Sequence, residues 1–159
     1  FGLRELERGL HVRPDNLRGG VGDLRERLMK VGLDADAAVF GADGFDERRQ
    51  ATIASLWDGA ALSRGYLEQR EELEAWLARS GELEDDVAAR ESYLLGGAAI
   101  RQVVFDPWLP AELVDTEARA AFVDTVRRFD AAGKAIWRGV SPPGGAKSSG
   151  AAAQASRAA

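Results

Sequence analysis

Cysteine is absent from this 159-residue chain, and that one absence removes disulfides, zinc–thiolate sites and cysteine nucleophiles together. Histidine occurs once, as His11, so any serine triad would have to use it, and no Gly-x-Ser-x-Gly elbow accompanies it. A solvent-facing or hydrogen-bonded structural role for His11 outweighs a catalytic one. No apolar run approaches the ~20 residues that span a bilayer. Positive charge is in deficit as well, with 21 basic side chains against 26 acidic ones. Two of the basic ones, Lys147 and Arg157, lie beyond Val140 where no acid stands, so the remainder is more acidic still. Such a surface is a poor match for nucleic acid, whose binding is driven by phosphate neutralisation. The first residue is Phe1, and the expectation is a fragment of a longer protein from a reducing, cytoplasmic compartment.

Glycine, by contrast, is plentiful. Gly9 follows Glu7-Arg8 between two short apolar segments and supplies the positive φ of a three-residue hairpin loop, so Leu3 to Val12 reads as a β-hairpin. Val21, Leu24, Leu28 and Val31 recur at helical spacing, with Gly32 placed to end that helix. The Gly19-Gly20-Val21-Gly22 cluster lacks the lysine of a phosphate loop and reads as a turn entering the helix. Ala37-Ala38-Val39-Phe40 reads as a strand. Hairpin, helix and strand in that order are what remains of a β-α-β-β-α-β sandwich without its first strand and helix.

Helical patterns follow over Asp46–Trp57, from Leu62 to Ser80-Gly81, over Glu84–Phe105 and over Thr116–Trp137. The fourth carries Ala118, Phe122, Val126, Phe129, Gly133 and Ile136 on one stripe, with Asp115 or Thr116 to cap it. Between the third and fourth, Phe105-Asp106-Pro107-Trp108-Leu109-Pro110 forms a stiff corner, because each proline fixes its own φ and drives its predecessor out of the helical region. The fold class is therefore α+β: a partial ferredoxin-like module over residues 1–45, an all-α module over 46–140, and a disordered Pro/Gly/Ser/Ala tail over 141–159.

Candidate chemistry is sparse. Glu82-Leu83-Glu84-Asp85-Asp86 holds adjacent acids that suit a helix N-terminus better than a metal ion. Arg101 stands out, since Leu94, Ala98 and Phe105 are its helical neighbours and a charge there must be paired or reach water. A structural ion pair with Asp106 or Asp115 is its first reading, and a ligand anchor the second. The adjacent Gly96-Gly97 would let another backbone or a flat ligand approach. Trp57, Tyr66, Trp76, Trp108 and Trp137 fall on or beside apolar stripes, as core or interface residues with one or two available to line a pocket.

The order of these features resembles the PaaX family of transcriptional repressors, which regulate phenylacetate catabolism. The resemblance rests on Gly9-Leu10-His11-Val12-Arg13-Pro14-Asp15-Asn16-Leu17, Val39-Phe40-Gly41-Ala42, Leu56-Trp57-Asp58 with Leu62 and Tyr66, and Asp106-Pro107-x-Leu109-Pro110-x-Glu112-Leu113. It covers roughly residues 1 to 138. It implies a winged helix-turn-helix head upstream that binds operator DNA, a ferredoxin-like dimerisation module like that of small CRISPR-associated ribonucleases, and a helical C-terminal module. It further implies a homodimer with no resident cofactor and no enzymatic activity, responding to an aryl- or acyl-coenzyme A effector. Arg101, Tyr66, Trp57 and Arg13 are the candidate effector-binding residues. One departure concerns the effector: Val114-Asp115-Thr116-Glu117 leads straight into a helix where the family continues with Pro and a Trp-Pro-Gly turn. The rival readings are a metal-dependent nuclease, with Asp15, Asp34 and Asp43 as candidates, and a purely structural dimerisation module.

Overall fold

The computed structural model describes residues 2–139, and the tail expected over 141–159 lies outside them. β1 (Arg4–Glu7) and β2 (Leu10–Val12) form the antiparallel hairpin, with Gly9 at φ 80° and a bulge between Glu5 and Glu7. The Glu5 carboxylate accepts the Gly9 N–H at 3.1 Å, closing the loop. α1 (Gly20–Lys30) ends as its sequence requires, with Gly32 at φ 103° just past the last turn.

The expected strand at Ala37–Phe40 does not form, and with it the ferredoxin-like arrangement is not assembled among the described residues. The reason is hydrogen bonding. A strand needs a neighbour for its carbonyls, and here the Arg25 guanidinium of α1 donates to the Ala35 and Ala37 carbonyls instead. An Asp34–Ala37 turn adds a backbone bond of 3.1 Å, so the segment lies as irregular chain against α1.

α2 (Glu47–Ala54) is shorter than its pattern, capped by the Asp46 carboxylate on the Arg49 N–H at 2.7 Å. α3 (Gly59–Arg79) starts where the Asp58 carboxylate accepts the Ala61 N–H at 2.8 Å, and it closes in a short 3-10 turn over Ser80–Glu82. α4 spans Asp85–Phe105, with Asp85 and Asp86 in its first turn, where the helix dipole favours acids. α5 (Thr116–Gly139) begins at Asp115, whose carboxylate takes the Ala118 N–H at 2.9 Å.

α5 is the central packing element. It packs along both α3 and α4, whereas α3 and α4 touch each other only briefly. The main core is made of Tyr66, Leu73 and Trp76 from α3, Ala99 from α4, and Ala118, Phe122 and Phe129 from α5. Trp76 and Phe129 meet at 4.6 Å between ring centroids. α4 and α5 approach closely where Gly133 faces Ser92, a Cβ there lying 3.6 Å from the serine. A smaller core of Trp57, Leu109 and Val114 takes in Val12 of the hairpin. No described residue before Trp57 is buried.

Candidate functional site

Because α3 and α4 diverge while α5 bridges them, a cleft of about 1150 Å³ opens along α4. Gly96, Ala99 and Phe129 are among its apolar lining, joined by Phe105, Val126 and Trp137. Arg101, Arg127 and Lys134 bring three cations to it, and Glu68 and Asp130 two acids. Lys134 is already paired with Asp130, and Arg127 with Asp124 at 2.7 Å. Arg101 makes no ion pair among the described residues, and it is exposed. The partners expected for it are taken: Asp106 serves Tyr66 and Arg119, and Asp115 caps α5. Of the four candidate residues, Arg101 alone lines the cleft.

The other three lie outside its lining. Tyr66 is 1% exposed, and its hydroxyl donates to Asp106 Oδ2 at 2.7 Å. Burial, reinforced by that carboxylate, pushes the Tyr66 phenol well above its ordinary range. Trp57 is buried in the small core and donates its indole N–H to the Gly2 carbonyl at 3.3 Å. Arg13 closes the hairpin exit, donating to the Pro14 carbonyl at 3.0 Å and to Asn16 Oδ1 at 2.8 Å. Burial pulls its guanidinium below the ordinary value, with Asp15 opposing.

The proline corner is a second polar centre. Asp106 Oδ1 accepts the Trp108 N–H at 2.7 Å, and Arg119 from α5 lies 4.0 Å from the same oxygen. Arg119 also donates to the Leu109 carbonyl at 2.8 Å and stands 5.1 Å from the Trp108 ring centroid. Trp108 is thereby held at φ 54°, a left-handed conformation that a bulky side chain adopts only under restraint. Asn16 reaches the Trp108 carbonyl with its side-chain amide, tying the hairpin exit to the corner.

Sequence reasoning missed Arg119 and did not single out Phe105 as a site residue, whereas Trp137 stood among the aromatics available to line a pocket. The signal for Trp137 was present, since Val126, Phe129, Gly133 and Trp137 repeat at three- and four-residue spacing on α5. Arg119 gave none, because its partners come from a corner ten or more residues back. Among the described residues no group of three or more His, Asp or Glu side chains could hold a metal ion. Nor is any helix among them long and apolar enough to cross a membrane.

The helical unit thus joins an apolar cleft to charged groups at its edge. Residues 57–139 match the family model described as the PaaX-like protein C-terminal domain, half of the chain, and the protein belongs to the PaaX-like family. Among solved structures it is similar to the uncharacterized protein Rv0674 from Mycobacterium tuberculosis, with 22% identity and a TM-score of 0.49 over 86% of this chain and 52% of that one. The chain thus spans about half the length of that protein. No curated protein matches it.

Proposed function

We propose that this chain is the effector-sensing and dimerisation portion of a PaaX-like transcriptional repressor, with the helical unit α3–α5 recognising an aryl- or acyl-coenzyme A thioester. The cleft carries this reading: about 1150 Å³, apolar along its length, with the unpaired Arg101 in its wall. Its size and lining suit a drug-sized or larger amphipathic ligand. The acyl group would lie against Phe105, Phe129 and Trp137, and Arg101 would meet a phosphate of the coenzyme. The protein would act in the cytoplasm as a homodimer that contacts operator DNA through a head outside these residues. Ligand would lower DNA affinity to the extent that it prefers one arrangement of the two subunits.

Calorimetric titration with phenylacetyl-coenzyme A and a series of acyl-coenzyme A thioesters tests the reading. The expected result is saturable binding that Arg101→Ala weakens tenfold or more, about 1.4 kcal/mol, while Arg13→Ala, remote from the cleft, leaves it unchanged. No heat from any thioester with a folded protein overturns the reading.

A further inference from the structure

Most polar side chains of the cleft are already engaged. Ser92 Oγ donates to the Ala89 carbonyl at 2.7 Å and accepts the Trp137 indole N–H at 3.1 Å. Gln69 donates to Glu72 at 2.9 Å, Arg127 to Asp124 at 2.7 Å, and Lys134 is held by Asp130. Glu68, Tyr93 and Arg101 make no side-chain hydrogen bond among the described residues, but all three are exposed, where water satisfies them. Gln102 is different. It lines the same cleft, it is partly buried, and its carboxamide has no hydrogen-bond partner among the described residues. That group offers two N–H donors and a carbonyl acceptor. A guest that fills the cleft displaces water from them, and leaving them unmet costs free energy, so the guest must supply their partners.

The facing helix is cut away for this carboxamide. Gly65 lies in the interior of α3, with ordinary helical backbone, where glycine is less stable than alanine. A Cβ there would lie 3.1 Å from Gln102 Nε2 and 3.9 Å from its Cδ, and would meet nothing else across the cleft within 4 Å. The glycine therefore makes room for the end of the Gln102 side chain and for no other group. On α4 itself, Gln102 follows Arg101 directly and precedes Phe105 by three positions, on the same side of the helix as Phe105. A charged group, an uncharged hydrogen-bonding group and an apolar ring thus stand in that order along the cleft wall.

We propose that Gln102 is a specificity-determining residue of the cleft, reading an uncharged carbonyl-bearing group of the ligand, an amide or a thioester, with Gly65 clearing the space in which it does so. The inference rests on the ligand class proposed above and deepens it. A coenzyme A thioester carries such groups between its phosphates and its acyl chain, the order in which Arg101, Gln102 and Phe105 stand. Gln102 Nε2 donates to the ligand carbonyl, and its Oε1 accepts an N–H where the group is an amide. A site built to hydrogen-bond such a group rejects an analogue that lacks it, because the carboxamide is then left unpaired.

Calorimetry with phenylacetyl-coenzyme A, on the full chain and on Gln102→Leu and Gly65→Ala, tests the assignment. Gln102→Leu keeps the size of the side chain and removes its hydrogen bonds, so affinity should fall roughly tenfold with no loss of melting temperature. Gly65→Ala should split the two readouts. Its melting temperature should rise by roughly 3 °C, since alanine is the better helix former, while its affinity falls because the new methyl displaces the carboxamide. A thioether analogue, with a methylene in place of the thioester carbonyl, separates the two sources of the contact. A Gln102→Leu loss that persists with it assigns the contact to an amide of the coenzyme arm, and a loss that vanishes assigns it to the thioester. Undiminished binding by either variant, with the unaltered chain binding, overturns this inference alone. So does a lowered melting temperature for Gly65→Ala, which would give that glycine to packing. No binding by the unaltered chain overturns the sensing role and this inference with it.

Discussion

Tyr66 carries more of this fold than its single hydroxyl implies. Its ring is sealed in the main core against Phe122, and its O–H is a partner of Asp106, itself 4% exposed at the side chain. Removing the hydroxyl leaves a buried carboxylate oxygen short of a donor, so Tyr66→Phe is expected to cost about 1–3 kcal/mol at neutral pH by denaturant titration. The pH dependence has a definite sign. Below the ordinary phenol value of about 10, folded and unfolded chains both keep the proton and the stabilisation is complete. Above it the unfolded chain ionises while the folded one holds its proton, so stability falls. Tyr66→Phe should flatten that alkaline loss. At this scale the sequence was a fair guide to burial and a poor one to role. Tyr66 and Trp57 sit on apolar stripes, which predicts that they are covered, but the stripe says nothing about what their polar atoms meet. Asp106 lies 40 positions from Tyr66, and no local pattern links the two.

Among the elements, the legible boundaries were those set by local chemistry. Asp46, Asp58 and Asp115 cap helices through side-chain bonds within three residues, and the prolines of the corner exclude helix by sterics alone. The Ala37–Phe40 strand failed because pairing is not local: its apolar composition permitted a strand, but no partner strand lies beside it and Arg25 takes the carbonyls of Ala35 and Ala37 at its start. Glycines show the same division. Gly59 and Gly97 look alike in sequence, yet a Cβ on Gly59 would lie 1.7 Å from the Leu113 carbonyl oxygen, whereas Gly97 opens to free space. Gly59→Ala should therefore force α3 away from the α4–α5 connection and cost about 3 kcal/mol or more. Gly97→Ala, measured where the chain is monomeric, should raise stability by up to about 1 kcal/mol. Thermal melts of the two variants side by side check the contrast.

Across the whole molecule, burial is divided unevenly. Among the described residues the first buried one is Trp57, and the family match begins at the same position. α1 and α2 contain no buried residue. The stretch from Asn16 to Ala54 is therefore stabilised by turns, caps, surface pairs such as Arg49–Glu7 at 2.8 Å, and the packing of the partly buried Ile53 on the small core. Such segments open locally at low free energy. Hydrogen exchange followed by mass spectrometry should find the amides of α1 and α2 exchanging orders of magnitude faster than those in the middle of α3 and α5. Equal protection would show that the amino-terminal segment shares the core's cooperativity. The cleft was not legible in the sequence because it belongs to no one helix. It arises from the angle between two of them, and their apolar stripes specify only that each has something to lie against.

That α3 and α4 share a neighbour but hardly touch has a mechanical corollary. Their separation is governed by how each seats on α5, so prying them apart costs little cohesion between the two. Any change in that separation is therefore a shift of α4 on α5, at the seats where Gly96 lies over Phe129 and Ser92 over Gly133.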